Sequence, residues 1–431
     1  MAPSRVRHPR RQDADRGIDK VKEIMARTSL TIAILICGVC GFALAQCPSG
    51  DLNGDCRVDW LDLGLLAAQW LSEPNGIDDL HGDAVVGMAD LGELAKHWRR
   101  TGCPIVINEL LAHSHDVAPD WIELHNVSSI PVDIGGWFLS DSESNLYEYR
   151  IAEGTVVEPN GYVVFHEDQH FGNPSDPGAL EPFKLSENGE SLYLYSDHDE
   201  RFPQCLVQVR FGASETGVSF GRHVKSTGVC GFVMMSVSTP GQANAHPRVG
   251  PVVINEIMYR PVENGDAEYV ELLNISGSPV TLFDFNTLLP WRFRDNAGIE
   301  FAFPSDVPVT LQAGEHLLLV RSEALVRRSF SIPTNVQILE WGSGRLANSG
   351  ETICLLKPGD IDEAGTRYWI EVESITYSDG SHPEAFDDGI DRWPPEADGR
   401  GLSLNRLFPS RYGDDPNNWH ATIVTPGSAN D

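Results

Sequence analysis

The chain has 431 residues and a formal net charge of −30, because 62 Asp and Glu outnumber 32 Lys and Arg. A surface this acidic repels phosphate backbones, which excludes nucleic acid as an expected partner and suits a protein that binds divalent cations. The length leaves room for two or three domains, each with a core of its own.

The first 45 residues are predicted to be a signal peptide. An apolar run from Leu30 to Ala45 follows Arg27 and ends in small residues, which is typical of a cleavable secretory signal. Met25 would open a signal of ordinary length. The run is shorter than the roughly 20 residues that a membrane span needs. We therefore expect a secreted, extracellular protein; a retained membrane anchor is the alternative.

Two acidic segments, 51–62 and 79–90, repeat one another and resemble calcium loops in their spacing. Oxygen-bearing side chains stand at loop positions 1, 5 and 12 of both, and at 3 and 9 of the first. Ca²⁺ takes six to eight oxygens, including a backbone carbonyl from position 7 and water. The predicted metal ligands are Asp51, Asn53, Asp55, Arg57, Asp59 and Asp62 in the first loop and Asp79, His81, Asp83, Val85 and Asp90 in the second, with Arg57 and Val85 at position 7.

The second calcium site is predicted to be the weaker one. His81 stands where the first loop has an oxygen ligand, and an imidazole nitrogen is a poor donor to calcium. Gly87 leaves position 9 to water. Position 6, which is ordinarily Gly because of its conformational freedom, is Cys56 in one loop and Ala84 in the other.

The same helical sequence follows each loop. Leu63, Leu66, Ala67 and Trp70 lie at i, i+3, i+4 and i+7, so they share one face of a helix. The residues with the same spacing after the second loop are Leu91, Leu94, Ala95 and Trp98. We predict that the two helices pack these faces together. The alternative is a pair of acidic turns before ordinary amphipathic helices.

Residues 51–98 resemble a dockerin module, the paired loop-helix unit of secreted bacterial proteins. The resemblance implies two bound Ca²⁺ ions and docking onto a cohesin domain, usually to tether a polysaccharide-degrading enzyme. Loop positions 10 and 11, which carry partner recognition in that family, are Trp60-Leu61 and Met88-Ala89 here. These pairs differ from the hydroxyl or basic pairs common among dockerins. The expected partner is a cohesin-like or other extracellular protein, at the cell envelope or on polysaccharide.

Six cysteines follow the predicted signal peptide, and an oxidising compartment favours disulfides among them. Cys47 and Cys103 bracket the dockerin-like unit and are one candidate pair. Cys205 and Cys230 lie in one later domain and are another. The sequence does not fix the connectivity, so other pairings stay open. Cys354 stands in an apolar run and is predicted to be a buried strand residue.

The remainder of the chain is a second, larger repeat. The matching stretches are 107–109 with 254–256, 121–126 with 269–274, 161–165 with 314–318, 188–192 with 348–353, and 238–244 with 424–430. Short runs of alternating, β-branched residues are separated by Gly, Pro, Asn and Asp, which predicts antiparallel sandwiches. We predict a module at 47–103 and two sandwiches at 105–245 and 252–430.

Each copy resembles a lamin-tail domain. The Asn-Glu pair (Asn108-Glu109, Asn255-Glu256), the aromatic-hydrophobe-Glu-Leu run and the Thr-Pro-Gly ending carry this resemblance. It implies an immunoglobulin-like sandwich of the kind found in nuclear lamins and in many secreted bacterial proteins. The predicted fold class is mainly β: two immunoglobulin-like β-sandwiches preceded by a small α-helical dockerin-like domain with EF-hand-like loops.

Two patterns raise the question of catalysis. Residues 217–221 match the G-x-S-x-G of a hydrolase, but that motif needs a strand-turn-helix context, and the surrounding sequence is β-like. Glu109 with Glu123 and Glu256 with Glu271 recur in both copies and can do acid-base work or hold a cation. We favour the alternative that they accept hydrogen bonds from backbone amides, and we name no catalytic residue.

The predicted function is a secreted, non-catalytic interaction or tethering protein. Calcium-dependent docking is assigned to the dockerin-like unit, and partner binding or spacing to the two sandwiches. The alternative is an accessory or catalytic component of an extracellular polysaccharide-degrading system. The assigned segments cover nearly all of the chain after the signal, which leaves little room for a separate catalytic domain.

Overall fold

The computed structural model describes residues 47–71, 79–115, 118–196, 205–262, 265–362, 365–386 and 389–430. The predicted signal peptide, 1–45, lies outside the described residues. The described chain contains a small helical module (47–103), a first sandwich (105–245) and a second sandwich (252–430), and these names are kept below.

The module consists of two loops, each followed by a short helix. Helix α1 spans Trp60–Ala68 and α2 spans Met88–Lys96. A small apolar core lies between them, and its buried members are Leu52, Val58, Leu66, Val86 and Leu94. One leucine from each helix, together with residues of both loops, therefore holds the two halves together.

The predicted helical faces are only partly buried. Leu66 and Leu94 are buried, but Ala67, Trp70 and Ala95 are exposed. For the tryptophans the physical reason is helix length: α1 ends at Ala68 and α2 at Lys96, so the tryptophan at i+7 lies beyond the end of each helix. Trp98 is half-buried and packs edge-on against Trp60, with ring centroids 5.1 Å apart.

The module rests directly on the first sandwich. The amide of Ser129 donates to the carbonyl of Gly54 at 2.7 Å, and its hydroxyl donates to the carbonyl of Asn53 at 2.8 Å. Cys56, at position 6 of the first loop, belongs to the buried core of that sandwich. The first loop is therefore in direct contact with the first sandwich. The amides that bind the acidic side chains of the second loop come from that loop itself.

The first sandwich contains two main sheets. One has the order β11-β10-β1-β2-β7, the other β5-β4-β8-β9, and β3 pairs with β6. All of these pairings are antiparallel. The strands are β1 Ile105–Leu111, β2 Trp121–Asn126, β3 Val132–Asp133, β4 Phe138–Ser140, β5 Tyr149–Arg150, β6 Val156–Val157, β7 Tyr162–His166, β8 Ser191–Tyr195, β9 Leu206–Arg210, β10 Phe220–Val224 and β11 Cys230–Met234.

The second sandwich repeats this plan with additions. Its sheets have the orders β21-β20-β13-β12-β24-β25 and β18-β17-β22-β23, with the small pairs β14-β19 and β15-β16. Only β20 and β21 run parallel among the described pairs. The strands are β12 Val252–Met258, β13 Tyr269–Asn274, β14 Val280–Thr281, β15 Phe283–Asp284, β16 Leu289–Pro290, β17 Arg292–Asp295, β18 Glu300–Ala302, β19 Thr310–Leu311, β20 His316–Val320, β21 Gln337–Glu340, β22 Gly350–Ile361, β23 Arg367–Ser378, β24 Leu402–Arg406 and β25 Trp419–Ile423.

A third helix, α3 (Glu323–Ser329), belongs to the second sandwich. It buries Val326 against Met258, Tyr269 and Leu318, on the side of its sheet that faces away from the sandwich core. Short 3₁₀ turns lie at Pro383–Ala385, Pro395–Ala397 and Pro416–Asn418.

A β-bulge in the central strand pair decides which residues face the core. The register of β1 against β2 shifts between Ile107 and Glu109, and that of β12 against β13 shifts between Ile254 and Glu256. The extra asparagine changes the alternation, so Leu110, rather than Glu109, continues the core-facing row. Both glutamates of each central pair therefore face the opposite side of the sheet, away from the sandwich core.

The two proposed cysteine pairs are wrong. Cys47 is bonded to Cys56, and Cys103 to Cys205. Cys103 precedes β1 and Cys205 precedes β9, so the ends of these strands bring the two Cα atoms within 5.4 Å. Cys230 lies instead on the edge strand β11 of the other sheet. Cys354 is buried in β22, as expected.

The predicted fold class is confirmed: the chain is mainly β, with two immunoglobulin-like sandwiches and few, short helices. In the part of the chain that the structure describes, no helix has the length and apolar character needed to cross a membrane.

Candidate functional site

The first loop folds around the carboxylate of Asp51. One oxygen of Asp51 accepts the amides of Gly54 and Asp55 at 2.9 and 3.0 Å, and the other accepts the amide of Cys56 at 2.8 Å. Asp62, which is fully buried, accepts the amides of Leu52 and Asp59 at 2.8 and 2.7 Å. The carboxylates at positions 1 and 12 thus hold the loop together by accepting its backbone amides.

The other predicted ligands of the first loop lie on the same frame. Asn53 Oδ1 accepts the amide of Asp55 at 2.9 Å, and Asp55 Oδ1 accepts the amide of Arg57 at 3.0 Å. Asp59 caps helix α1 by accepting the amide of Leu61 at 2.8 Å. Burial, together with the neighbouring carboxylates, raises the pKa of Asp51. The acidic groups therefore lie close enough to repel one another.

The second loop repeats this frame. Asp79 accepts the amides of Gly82, Asp83 and Ala84 at 2.7, 3.1 and 2.9 Å. Asp90 is fully buried and accepts the amides of His81 and Gly87 at 2.9 and 2.7 Å. A ligand oxygen from each of Asp79, Asp83 and Asp90 lies within 4.8 Å of the other two.

The remaining two predicted ligands of the second loop lie beside this group. His81 Nδ1 is 3.7 Å from Asp83 Oδ2, so the imidazole borders the carboxylates. The amide of Val85 donates to Asp83 Oδ1 at 3.0 Å, as Arg57 does in the first loop. The amide of position 7 therefore donates to the carboxylate of position 5 in both loops, and calcium binding by the position-7 carbonyls stays a prediction. The relative affinity of the two loops stays a prediction.

Both loops use a left-handed residue at position 6. Cys56 has φ = 63° and Ala84 has φ = 65°, a region that strongly favours glycine. The six amides that Asp51 and Asp79 accept compensate this local strain by fixing the turn. The donor set in each loop, carboxylates with a backbone carbonyl at position 7, has the chemistry that Ca²⁺ prefers. The residues that would hold Ca²⁺ are the predicted ligands at positions 1, 3, 5, 7, 9 and 12 of the first loop and 1, 3, 5, 7 and 12 of the second.

The paired glutamates of the first sandwich bind its C-terminal segment. Residues 238–244, the first closing segment, run over the outer face of the central strands. Glu109 accepts the hydroxyl of Ser219 at 2.6 Å and the hydroxyl of Thr239 at 2.7 Å. Glu123 accepts the amide of Gly241 and the side-chain amide of Asn108, the latter at 2.8 Å. The Thr-Pro-Gly sequence is therefore the segment that these carboxylates hold.

The second sandwich makes the same arrangement with its closing segment, 424–430. Glu256 accepts the amide of Thr425 at 3.0 Å and the hydroxyl of Tyr269 at 2.6 Å. Glu271 accepts the amide of Gly427 at 2.6 Å, and His316 Nδ1 lies 2.8 Å from its other oxygen. These contacts agree with the interpretation that the glutamates bind backbone amides.

Burial raises the pKa of one glutamate in each pair. The pKa of Glu123 rises to about 7 because it is buried and because Glu109 lies opposite. The pKa of Glu256 rises to about 7 for the same two reasons, its burial and the neighbouring Glu271. Carboxylates that are buried and committed to internal hydrogen bonds are well placed to fix the closing segments.

Each closing segment also ends in an asparagine that binds the bulge. Asn244 Nδ2 donates to the carbonyls of Asn108 and Arg222 at 3.1 and 2.9 Å. Asn430 Nδ2 repeats this with the carbonyls of Asn255 and Arg406 at 3.0 and 2.9 Å. The sequence repeat contained both asparagines, but their role depends on the bulge, which the residue pattern did not reveal.

The G-x-S-x-G match has a structural role. Ser219 is fully buried just before strand β10, and its hydroxyl donates to Glu109. The equivalent Ser403 in β24 donates to Glu256. Arg406, three residues later, is buried and forms an ion pair with Glu373 of β23 at 2.7 Å. Ser219, Ser403 and Arg406 therefore take part in internal packing.

Sequence reasoning missed one group that joins the two sandwiches. His113 lies close to Glu187 of its own sandwich and to Asp360 of the second one. The three residues are far apart in the sequence and occur in no common motif. Only the way the sandwiches pack against each other brings them together.

One family model matches the chain, that of the Lamin Tail Domain, over residues 99–207 and 245–377. These two matches cover more than half of the chain and fall on the two sandwiches, leaving residues 51–98 outside. A search of curated proteins found no sequence with significant similarity to this chain.

Proposed function

We propose, from the premise that this chain belongs to the lamin tail domain family, that it is a secreted, non-catalytic tethering protein. Its module binds two Ca²⁺ ions and docks onto an extracellular protein partner, cohesin-like or otherwise, at the cell envelope or on polysaccharide. The two sandwiches bind a further partner or act as spacers. Lamin tail domains are immunoglobulin-like interaction domains, which supports the second half of the proposal.

The observation that carries the calcium proposal is the identical frame of the two loops. In each, the carboxylate at position 1 accepts the amides of positions 4, 5 and 6, and the carboxylate at position 12 closes the loop onto its helix. Two independent stretches of chain reach the same arrangement with side chains that repel one another. A bound cation relieves this repulsion, so binding is coupled to ordering of the loops.

Exposed apolar side chains at the start of each helix support docking. Trp60, Leu61 and Met88 are 75%, 62% and 72% exposed, and they occupy loop positions 10 and 11 of the first loop and position 10 of the second. Aromatic and methionine side chains are enriched in the centres of protein interfaces. Because these residues begin helices α1 and α2, calcium at the adjacent loops would hold them in a fixed arrangement.

The test is retention on an extracellular partner fraction. The mature chain is incubated with the envelope fraction of the producing cells in calcium or in chelator, and binding is measured as bound protein. Calcium-dependent retention that Trp60→Ala with Met88→Ala removes is expected, because these exposed side chains are the proposed contacts to the partner. Calorimetric titration with Ca²⁺ should give two sites in the wild-type chain and in this variant alike.

A matched variant separates calcium binding from docking. Asp51→Ala with Asp79→Ala should lose both the calcium heat and retention, whereas Phe285→Ala, an exposed apolar change on the second sandwich, should lose neither. Retention that is equal in chelator and in calcium would contradict the proposal, and so would the absence of any calcium heat.

A further inference from the structure

Three chemically reactive groups from three segments meet where the two sandwiches face each other. His113 follows β1, Glu187 precedes β8, and Asp360 lies in β22 of the second sandwich. His113 Nε2 is 3.7 Å from Glu187 Oε2 and 3.9 Å from Asp360 Oδ2, and one ligand atom from each residue lies within 4.8 Å of the others. We infer that these residues form a zinc site that joins the first sandwich to the second.

The imidazole is already oriented as a metal ligand. His113 Nδ1 lies 2.9 Å from the carbonyl oxygen of Ser214. A carbonyl only accepts, so Nδ1 carries a proton, and Nε2, on the side of the two carboxylates, is the nitrogen available to a metal ion. A hydrogen bond from the other ring nitrogen to a backbone carbonyl is the usual way in which a zinc-binding histidine is held. The side chain is 15% exposed, so its surroundings restrict its rotation.

The hydroxyl of Thr216 also forms a hydrogen bond with this nitrogen, at 2.9 Å from His113 Nε2. A metal ion bound at Nε2 would replace this hydrogen bond, and the hydroxyl would then face the ion or its bound water. The group around Nε2 is therefore two carboxylates and one neutral oxygen.

The charge of the group matches a divalent ion. Among the described residues, His113 is the sole basic side chain within ion-pair distance of Glu187 or Asp360. The nearby Glu215 is different, because Arg248 and Lys357 both pair with it. Two carboxylates thus converge on one imidazole, and a 2+ ion bound to its Nε2 would neutralise them.

The donor types favour zinc over calcium. One imidazole nitrogen with two carboxylate oxygens is a ligand set that Zn²⁺ uses, whereas Ca²⁺ takes oxygen alone. Ligand atoms of a tetrahedral zinc site are separated by about 3.4 Å, given bonds of about 2.0–2.2 Å. The observed 3.7 and 3.9 Å from Nε2 require a contraction of a few tenths of an ångström, and the two carboxylate oxygens, within 4.8 Å of each other, must approach as well. Glu187 and Asp360 are exposed and can make this adjustment.

A cavity of about 450 Å³ opens beside the group, and its walls come from both sandwiches. His113 and Thr216 line it from the first sandwich, and Asp360 and Trp291 from the second. The fourth coordination position of the ion would face this cavity and take a water molecule. Because the three protein ligands come from both sandwiches, a bound ion would restrain how the two can move against each other.

The test is zinc titration of the mature chain, followed with a chromophoric zinc indicator. The protein is first stripped with chelator and then kept in millimolar calcium, so that the loops at 51–62 and 79–90 do not compete for zinc. One zinc ion per chain is expected. His113→Gln and Asp360→Asn should each weaken binding at least tenfold. His115→Gln, an exposed histidine of the same segment, is the matched control and should leave it unchanged.

Cobalt absorption in wild type and Asp360→Asn provides a second measurement if His113→Gln folds poorly. Asp360 is exposed, so Asp360→Asn should fold normally. Cobalt in place of zinc should give a visible absorption band in wild type that Asp360→Asn alters and His115→Gln does not. Zinc affinity that is equal in wild type, His113→Gln and Asp360→Asn would overturn the inference. Loss of the zinc site in His81→Gln instead would move it to the second calcium loop and overturn it as well.

Discussion

Glu109 and Glu123 lie directly opposite each other on the neighbouring strands β1 and β2, and both are fully buried. Like charges in this position are unfavourable unless hydrogen-bond donors surround them. The donors come from Ser219 and from the closing segment, where Thr239 and Gly241 supply backbone amides. The second sandwich places Glu256 and Glu271 in the same way. The pair therefore explains why the Thr-Pro-Gly sequence recurs at the end of both copies.

Glu109→Ala is expected to lower the free energy of unfolding of the first sandwich by about 3 kcal/mol, because it leaves the buried donors of Ser219 and Thr239 without an acceptor. Chemical denaturation monitored by tryptophan fluorescence measures this change. Glu158→Ala, at an exposed position, is the control and should change stability by less than about 0.5 kcal/mol. Equal midpoints for the two variants would show that the carboxylate does not hold the closing segment.

Stability is expected to fall as the pH rises from 6.5 to 8. Glu123 and Glu256 have folded-state pKa values of about 7, raised from 4.5 mainly by burial. The folded state therefore binds more protons than the unfolded state between pH 4.5 and 7, and this stabilisation disappears as the pH rises through 7. The lowered pKa values of His125 and His223 have the opposite effect, but below this range.

The measurement for this pH dependence is the thermal unfolding midpoint in saturating calcium at pH 6.5 and 8. Glu123→Gln with Glu256→Gln should reduce the difference, because neither side chain then ionises. A double variant that keeps the full wild-type slope would assign the dependence to other groups, such as Glu190 or Glu351, whose pKa values also rise to about 7.

Chelation of calcium is expected to unfold α1 and α2 while the sandwiches keep their strands. The carboxylates of each loop repel one another without an ion, and the N-cap residues of the two helices, Asp59 and Gly87, lie within the loops. Circular dichroism at 222 nm measures the helical signal. Asp51→Ala and Asp62→Ala should remove most of the calcium-dependent change, whereas His81→Ala should affect it much less. An identical helical signal with and without calcium would refute the coupling.

The bond between Cys103 and Cys205 is expected to stabilise the first sandwich by about 2–5 kcal/mol, because it closes a long segment of chain. The double change Cys103→Ser with Cys205→Ser should lower the denaturation midpoint accordingly. Cys230→Ser is the control and should leave it almost unchanged. Peptide mapping without reduction identifies the pairing directly, and a peptide linking Cys205 to Cys230 would contradict it.

Features that depend on local spacing could be predicted from the sequence. Loop positions 1 to 12, the repeated β-type stretches and the glutamate pairs could all be found from residue patterns. The helical faces were only half right, because periodicity placed Trp70 on a helix that ends at Ala68. Spacing describes a face but does not fix where a helix of nine residues ends.

Features that depend on packing between distant segments were not predictable. The bond from Cys103 to Cys205 depends on which strand ends meet, whereas neighbourhood in the sequence favoured Cys47 with Cys103 and Cys205 with Cys230. His113, Glu187 and Asp360 have no common motif, and they approach one another only because two sandwiches lie side by side. The bulges at Asn108 and Asn255 were likewise hidden, because an inserted residue changes the alternation without changing composition.

The bond from Cys103 to Cys205 connects the segment just before β1 in one sheet to the residue before β9 in the facing sheet. A pull applied to the module would therefore be shared between both layers of the first sandwich instead of peeling β1 away alone. Ser129 adds a bracing contact under the first loop. If the module docks as proposed, this bond would resist separation of the two sheets under load, and that resistance would depend on the oxidation state of Cys103 and Cys205.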